Sequence, residues 1–399
     1  MSCDHILTLN AGSSSLKYAL FDKRQIARPG GAFSSSGQSL FGASGALARV
    51  LSGMIETTGS APRDPSRALD TVLSRLDSNG GLRSVAAVGN RVVHGGDSFA
   101  HATLVTAEAL EKLRRLRELD PDHLPAQIAI LEALRAREAS LPLVACFDTS
   151  FHRTMPRVAR QLAIPRRYEA LGIRRYGFHG LSYQFLSEEL ARLGGGPVAR
   201  GRTIMAHLGS GASLTAMRDG KSVDTTMGFT PNSGIAMGTR SGDLEPGAVL
   251  HMMRLDDLGP DAIDEMLSQR AGLHGISETT SDMRKLLALE VSDERAAEAV
   301  ALFCYQVRKA IGSLAAVLGG VDALVFSGGI GENAAAVRAR VVLGLEHLGV
   351  RLDGARNEAG APIISSDASD CLVRIIRTDE EAIIARDTVR VVGSGKGAA

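Results

Sequence analysis

Cysteine is scarce in this sequence, and its spacing excludes two kinds of structural site. Four cysteines are scattered through the 399 residues, with no C-x-x-C pair and no histidine at metal-ligand spacing: Cys3, Cys146, Cys304 and Cys371. We therefore expect neither a disulfide framework nor a structural zinc site.

An excess of charge of either sign is also missing. Lysine and arginine total 45, aspartate and glutamate total 44, and the net charge is +1. A chain this balanced has no electrostatic reason to bind nucleic acid or an anionic membrane. No apolar run reaches the ~18 residues of a membrane span, and Asp4 and His5 interrupt the N-terminal stretch. The expectation is a soluble cytoplasmic enzyme without a transmembrane helix or a signal peptide.

The composition is that of a chain able to form a core, with additional glycine. Hydrophobic residues make up 44% and charged residues 22%, which argues against intrinsic disorder. The length predicts two or three domains. Glycine supplies 44 residues, about 11% against a usual ~7%. That excess indicates tight turns or places where the backbone approaches a ligand.

Short runs rich in Val and Ile alternate with longer helical patterns, which is typical of an α/β fold. Six runs are predicted as strands: residues 6–9, 85–93, 143–147, 203–208, 323–326 and 373–376. Leucines at three-residue spacing from 110 to 119 predict a helix capped by Thr106 and followed by Pro121. A second helix is predicted to begin at Pro125. Residues 30–66 are rich in Ser and Gly and predict an irregular excursion or a pair of short strands.

Two segments half a chain apart have the same pattern. The sequence is LNAGSSSL at 9–16 and HLGSGASL at 207–214. Each predicts a strand, a turn of small residues and a second strand, which covers 16–21 in the first case and 214–217 in the second. Two such hairpins indicate a duplicated domain with a cleft between the copies.

Three glycine-rich turns after strands are candidates for phosphate binding. Two are the hairpin turns, and the third is GIGENA at 329–334. The third fits G-x-G-x-x-A, with Asp353 about 20 residues further on, and taken alone it supports an NAD-linked dehydrogenase as an alternative. The P-loop pattern is not met, because GKS at 220–222 has Thr215 where the first glycine is required.

Six motifs in the same order resemble those of acetate kinases and together span nearly the whole chain. They are NAGSSSLK at 10–17, RVVHGG at 91–96, FDTSFH at 147–152, RYGFHG at 175–180, MGTRSGD at 237–243 and GGIGEN at 328–333. The resemblance implies two RNase H-like α/β domains, as in actin, hexokinase and the Hsp70 ATPase domain. It also implies reversible phosphoryl transfer from ATP to a short carboxylate, with Mg²⁺ or Mn²⁺ as the cofactor, in a homodimer. The expected domains are 1–148, against which a helix at about 381–395 packs, and a nucleotide-binding domain at 149–380.

The resemblance assigns roles residue by residue. The catalytic residues it implies are Arg91, Asp148, His179 and Arg240. The substrate-binding residues are Arg91, Val93, Asp122, Phe178 and Pro231. The nucleotide-binding residues are Lys17, His207, Leu208, Gly209, Ser210, Gly211, Asp282, Met283, Arg284, Gly329, Ile330, Gly331, Glu332 and Asn333. The metal-binding residues are Asn10 and Glu380, and His123 also occupies a motif position.

The chemistry of the transfer fits these residue types. Phosphoryl transfer needs alignment and charge cancellation more than covalent help. Arg91 and Arg240 offer paired donors to a carboxylate or phosphoryl group, and His179 can donate to an equatorial oxygen. The acceptor carboxylate is already ionised near pH 7 and needs no base. Asp148 is therefore expected to act through Mg²⁺ or its waters, although family members are often assigned an acid–base aspartate here.

Three departures from the family pattern lie among these residues. Ser210 replaces the usual Asn, PNSG at 231–234 replaces the usual PLEG, and Asp122 and Leu124 replace Leu and Asn. These changes bear on nucleotide affinity and acyl preference, so a propionate or butyrate kinase stays open as an alternative. An NAD-linked dehydrogenase and a non-catalytic nucleotide-binding module are more distant alternatives.

Overall fold

The computed structural model describes residues 4–12, 15–26, 47, 49–56 and 65–394, and the chain divides into two compact units. Unit 1 comprises Met1–Arg153, Gly180–Phe185 and Asp379–Ala399. Unit 2 comprises Thr154–His179 and Leu186–Thr378. Most of the segment 30–66, for which the sequence predicts an excursion or short strands, lies outside the described residues.

Eleven strands occur in the part of the chain that the structure describes. They are β1 (His5–Ala11), β2 (Ser15–Asp22), β3 (Arg49–Glu56), β4 (Val85–Val92), β5 (Thr103–Leu104), β6 (Leu143–Phe147), β7 (Thr203–Leu208), β8 (Ala212–Arg218), β9 (Lys221–Thr225), β10 (Ala323–Ser327) and β11 (Leu372–Ile375). All six predicted strands are confirmed to within two residues at each end.

The same residues contain sixteen α-helices and five short 3-10 helices. The α-helices are α1 (Lys23–Ile26), α2 (Pro65–Leu76), α3 (Ala107–Arg115), α4 (Leu124–Arg137), α5 (Arg157–Arg160), α6 (Arg166–Ala170), α7 (Gly180–Arg200), α8 (Pro246–Leu255), α9 (Pro260–Gln269), α10 (Gly272–Ser277), α11 (Met283–Leu289), α12 (Glu294–Leu318), α13 (Gly328–Asn333), α14 (Ala335–Val342), α15 (Gly354–Glu358) and α16 (Glu380–Ser394). The 3-10 helices are Asp77–Asn79, Gly81–Ser84, Arg117–Leu119, Ser150–Thr154 and Glu346–Leu348.

The sheet of unit 1 has the strand order β3-β2-β1-β4-β6-β5. Strands β1, β2 and β3 are antiparallel neighbours, while β4 and β6 run parallel to β1. β6 is buried along its whole length, and β1 and β4 nearly so, because helices cover both faces of the parallel part. The C-terminal helix α16 packs against β1, β4 and β6.

The sheet of unit 2 repeats this arrangement. Its strand order is β11-β10-β7-β8-β9, with β7, β8 and β9 antiparallel and β10 and β11 parallel to β7. Counted within unit 2, the sheet order is third, second, first, fourth and fifth strand. The sheet of unit 1 has the same order when its two-residue edge strand β5 is left out of the count. The predicted α/β fold with a duplicated RNase H-like sheet is confirmed.

The two predicted helices are confirmed, but the first ends earlier than predicted. The Thr106 side chain accepts a hydrogen bond from the Ala109 N–H and caps α3, and Pro125 lies in the first turn of α4. The leucine pattern predicts a helix as far as residue 119, but α3 ends at Arg115 and the rest forms the 3-10 helix Arg117–Leu119. Such tightening is common in the last turn of a helix.

One helix among the described residues, α12, is long and apolar enough to cross a membrane by length and composition alone. Ten of its 25 residues are buried, at helical spacing. It packs against β8, α10, α11 and α14 of unit 2. A core helix of a globular unit passes the same test, and α12 occupies such a position.

Candidate functional site

Arg91 and Asp148 form a buried ion pair in unit 1. Arg91 lies near the carboxyl end of β4, and Asp148 follows β6, the neighbouring parallel strand. Parallel strands end at the same sheet edge, which brings the two side chains together. The Arg91 Nε donates to Asp148 Oδ2 at 2.9 Å, and Nη2 donates to the same oxygen.

Both side chains are withdrawn from water, with 12% of Arg91 and 1% of Asp148 exposed. Burial raises the pKa of the Asp148 carboxyl, although the Arg91 charge opposes that shift. For Arg91, burial favours the neutral form, but the charges of Asp148 and Glu380 prevail and raise the guanidinium pKa. The arginine is therefore a fixed cation.

Each partner keeps hydrogen-bonding capacity. A guanidinium has five N–H groups, and three Arg91 nitrogens donate within the described residues, the third to the Ala11 carbonyl at 3.1 Å. Two N–H groups are left for an anion. Asp148 Oδ1 is buried without a hydrogen-bond partner among the described residues. Buried carboxylate oxygens are rarely left so, and this oxygen can accept a hydrogen bond from a water or a ligand.

The first hairpin and the start of α16 add an amide and two carboxylates to this part of unit 1. The Asn10 amide donates to Glu380 Oε2 at 2.8 Å and to Glu381 Oε1 at 3.2 Å. Asn10 lies opposite Lys17 in the β1–β2 register. Burial and the Glu380 charge raise the pKa of Glu381, while Lys17 lowers it. Ser13 and Ser14 of the hairpin turn lie outside the described residues.

His123 lies at the start of α4 beside a carboxylate that the sequence analysis missed. Its Nδ1 is 2.9 Å from Asp120 Oδ1, and its backbone N–H donates to the same oxygen at 3.0 Å. Both residues are buried, and the Asp120 charge helps to raise the pKa of Arg91. The nearby Val93 is buried and its N–H donates to Gln127 Oε1 at 2.8 Å, whereas Asp122 is exposed.

In unit 2, His179 is held between two other side chains. Its backbone has a φ of 60°, which a residue other than glycine rarely adopts. Its Nδ1 is 2.8 Å from Ser213 Oγ, and its ring stacks on His207 with centroids 4.5 Å apart. The preceding Phe178 is buried. These contacts fix the direction in which Nε2 points.

His179 and Arg240 approach the same glycine. A Cβ built on Gly211 would be 3.2 Å from His179 Nε2 and 3.6 Å from Arg240 Nη1. Arg240 also donates to the Pro231 carbonyl at 3.4 Å. Two side-chain nitrogens therefore flank a position where the backbone has no side chain, which is an arrangement that suits an anionic oxygen when both nitrogens carry a proton.

The second hairpin turn lies next to the glycine-rich segment that follows β10. The Gly209 N–H donates to the Gly211 carbonyl at 3.0 Å, and a Cβ on Gly209 would be 3.9 Å from both the Gly329 N and His207 Nε2. The Ser210 carbonyl accepts from the Gly238 N–H at 2.9 Å. This turn, the Arg240 loop and the segment after β10 are thus adjacent.

The expectation of a glycine turn at 329–334 is wrong in one respect. The segment forms the short helix α13 with Ser327 at its N-cap. The Glu332 carboxylate accepts from the Gly328 N–H at 3.0 Å, and the Asn333 amide donates to the Gly329 carbonyl at 2.9 Å. These side-chain bonds stabilise a helix that its three glycines disfavour.

The remaining predicted nucleotide residues begin α11. Asp282 caps this helix through the Arg284 N–H at 2.9 Å and pairs with the Arg284 guanidinium, whose side chain is 89% exposed. Met283 is buried. A Cβ on Gly238 would be 3.4 Å from Ser281 Cβ, so α11 starts beside the Arg240 loop.

The structure therefore brings most predicted residues into two clusters, each within one unit. Asn10, Lys17, Arg91, Asp148 and Glu380 belong to the cluster of unit 1. The cluster of unit 2 contains His179, His207, Leu208, Gly209, Ser210, Gly211, Pro231, Arg240, Gly329 and the residues around them. Asp122 is exposed, and no ion pair involving it is found among the described residues.

Three contacting residues escaped the sequence analysis: Asp120, Gln127 and Ser213. Ser213 lies within the HLGSGASL segment at 207–214, and Asp120 precedes His123 by three residues. Within the described ranges, no group of three or more His, Cys, Asp or Glu side chains is placed to hold a metal ion. The three described cysteines are buried and free.

Comparison with known proteins gives one consistent result. Residues 5–386 match the model of the acetokinase family. The chain is 42% identical to an acetate kinase of Coprothermobacter proteolyticus, covering 97% of this chain and 98% of that protein. It is 41% identical to an acetate kinase of Rhodopseudomonas palustris, covering 98% and 100%.

Solved structures agree with the sequence relatives. A propionate kinase of Francisella tularensis superposes with a TM-score of 0.85 at 33% identity, covering 98% of this chain and 100% of the other. An acetate kinase of Porphyromonas gingivalis superposes with a TM-score of 0.81 at 31% identity, with the same coverage. With its duplicated sheet, its two clusters and its match over nearly the whole length, the chain belongs to the acetokinase family.

Proposed function

We propose that this protein is an acetate kinase, which transfers the γ-phosphoryl group of ATP to acetate in a reversible reaction. An acetate oxygen forms a bond to the γ-phosphorus, the bond from that phosphorus to the bridging oxygen of ADP breaks, and ADP leaves with the electron pair. No proton is needed on either side of this exchange. The observation that carries the proposal is the convergence of His179 Nε2 and Arg240 Nη1 on Gly211.

His179 and Arg240 have the chemistry for the transferring group. Its equatorial oxygens carry the negative charge in the transition state. A guanidinium and an imidazole N–H that are already in position stabilise that charge without reorganisation. Gly211 leaves room for an oxygen between them, which any Cβ would fill.

Arg91 and Asp148 have the chemistry for the acceptor side. The two N–H groups of Arg91 that are left can bind a carboxylate, and the buried pair with Asp148 keeps the guanidinium charged and oriented. Acetate is ionised at neutral pH and needs no base. Asp148 is then a positioning anion whose second oxygen faces a bound ligand.

The side-chain oxygen atoms near Arg91 suit Mg²⁺, which is the cofactor we assign. This ion takes one or two protein carboxylates, keeps waters and binds substrate phosphates, which agrees with the absence of a denser cluster among the described residues. The Glu380 carboxylate and the side-chain amide oxygen of Asn10 would hold the ion, and Asp148 Oδ1 would accept a hydrogen bond from one of its waters. Bound there, the ion would cancel charge on the ATP phosphates.

In unit 2 the nucleotide is assigned to the turn 209–211, His207, α13 and the start of α11, and the family resemblance adds Lys17. The backbone N–H groups of the turn suit phosphate oxygens. The adenosine is assigned to Asp282, Met283 and Arg284 together with Gly329, Ile330, Gly331, Glu332 and Asn333.

Propionate is the second candidate substrate. The family pattern has an apolar residue before His123, whereas this chain has the exposed Asp122, and a propionate kinase is among the similar structures. A pocket that lacks this apolar wall would be larger and wetter. Membership of the acetokinase family leaves the NAD-linked dehydrogenase and the non-catalytic module without support.

We further propose a cytoplasmic homodimer, as the family resemblance implies. Light scattering coupled to gel filtration measures the assembly, and a mass near twice the 42.0 kDa of one chain is the expected result. A monomeric mass would contradict it.

A hydroxamate assay of acyl-phosphate formation tests the proposed reaction. Wild type should form acyl hydroxamate from ATP, Mg²⁺ and acetate, and a panel of short carboxylates ranks the substrates. Arg240→Ala should lose about 3 kcal/mol of transition-state stabilisation or more. The matched control is Arg254→Ala, an exposed arginine of α8, which should keep wild-type activity. Product from none of the carboxylates, or full activity of Arg240→Ala, would contradict the proposal.

A further inference from the structure

Ser213 is a buried hydroxyl that the proposed mechanism has not used. It lies on β8 with no exposed surface, and its Oγ is 2.8 Å from His179 Nδ1. In the β7–β8 register Ser213 is opposite His207, whose ring stacks on His179. The His179 ring is therefore held by both strands. Ser213 of β8 contacts one edge of the ring, and His207 of β7 stacks on one face.

The two nitrogens of the His179 ring face different surroundings. Nδ1 faces the Ser213 hydroxyl, while Nε2 is the nitrogen next to Gly211 and beside Arg240. A neutral imidazole has one N–H donor and one acceptor nitrogen, and the hydrogen bond at one nitrogen decides which is which. If the Ser213 hydroxyl donates to Nδ1, the proton must be on Nε2.

We propose that Ser213 is a positioning residue that donates to His179 Nδ1 and so fixes the tautomer that presents an N–H from Nε2 toward Arg240 and Gly211. The inference rests on the proposed function, because the value of that N–H is its bond to the transferring phosphoryl group. The opposite tautomer would aim a lone pair at a negatively charged oxygen. The Ser213 contact at Nδ1 and the stacked His207 ring hold the His179 ring in this orientation.

Kinetics of Ser213→Ala give the first test. We expect kcat to fall about tenfold, the size of one lost hydrogen bond, while KM for ATP changes less than about twofold. Ser213→Cys keeps a weaker donor of similar size and should lose less. The matched control is Thr215→Ala, which removes another buried hydroxyl of β8 that bonds the Asp224 carbonyl at 2.9 Å, and it should keep kcat.

The ¹⁵N resonances of labelled histidine give a readout that does not depend on activity. Loss of a signal in His179→Gln assigns the His179 ring. In wild type we expect a protonated Nε2 and an unprotonated Nδ1, and in Ser213→Ala a mixture of tautomers. A wild-type ring protonated on Nδ1 alone would overturn the proposal, as would unchanged kcat and tautomer in Ser213→Ala. Failure of the proposed function looks different, because wild type would then form no acyl phosphate while the tautomer can still be measured.

Discussion

Removal of Arg91 separates its effect on stability from its effect on catalysis. The perturbation is Arg91→Ala, compared with the double variant Arg91→Ala/Asp148→Asn. In the single variant the Asp148 carboxylate, 1% exposed, loses the cation that donates twice to its Oδ2. In the double variant no buried charge is left without its partner.

The structure gives the size of the stability effect. Breaking a buried ion pair by removing one partner costs about 3–5 kcal/mol, because the other charge stays buried. Replacing both charges by neutral groups costs far less. We therefore expect the free energy of unfolding, measured by urea titration, to fall by an amount in that range for Arg91→Ala. The double variant should recover most of the lost free energy.

Activity should be low in both variants, unlike stability. Both variants lack the guanidinium that the proposal places on the acceptor carboxylate, so both should lose about 3 kcal/mol or more in kcat/KM for acetate. Recovery of stability without recovery of activity is the expected pattern.

Urea unfolding followed by circular dichroism and the hydroxamate assay measure the two quantities on the same preparations. Arg135→Ala is the control, since that arginine lies on α4 of the same unit and donates to the Val105 carbonyl; it should keep full activity. Unfolding of Arg91→Ala at the wild-type urea concentration would show that the ion pair does not stabilise the fold. Near-wild-type kcat/KM in the double variant would show that Arg91 does not bind the acceptor.

The remaining predictions concern four other positions. Gly211→Ala should lower kcat about tenfold with little change in Tm, because the new Cβ displaces His179 or Arg240 by a few tenths of an ångström; unchanged kcat would place the phosphoryl group elsewhere. Wild type should use propionate within about tenfold of acetate, since one CH₂ contributes only ~0.8 kcal/mol, and Asp122→Leu should sharpen the preference for acetate. A preference for acetate above about a hundredfold, as a ratio of kcat/KM, would contradict that account. Burial raises the pKa of Asp224, so its charge destabilises the fold above that pKa, and Asp224→Asn should raise Tm at pH 7 with a gain that disappears below about pH 3. A Tm gain independent of pH would remove the charge explanation. Ser210→Asn should tighten ADP binding by about 1 kcal/mol, measured calorimetrically, and weaker or unchanged binding would oppose it.

Much of the fold could be predicted from the sequence, because buried strands in an α/β protein have a strong local pattern. The two hairpins were recognisable from their small-residue turns, and the sheet order of unit 2 repeats that of unit 1. β5, with two residues, has too short a run to show any period. The helix α13 was missed because glycine disfavours helices and its stabilising bonds come from Glu332 and Asn333 side chains.

The candidate site was predictable in its residue types and only partly in its contacts. Arg91 and Asp148 were each predicted at the end of a strand, and they come together because these two parallel strands are neighbours in the sheet. The contact of His179 with Ser213 joins residues 34 positions apart through a backbone with positive φ, and no local pattern encodes such a pair. The Asp120–His123 contact is local, but a carboxylate three residues before a histidine is too common to single out.

Phosphorus NMR of the reaction mixture shows directly whether the γ-phosphoryl group of ATP reaches acetate. Enzyme, Mg²⁺, ATP and acetate are combined, and the spectrum is followed over time. We expect equal amounts of acetyl phosphate and ADP in wild type and in Arg254→Ala, and formation of both products at least about a hundredfold more slowly in Arg240→Ala. ADP with inorganic phosphate and no acyl phosphate at any time would contradict it, because water rather than a carboxylate would then be the acceptor.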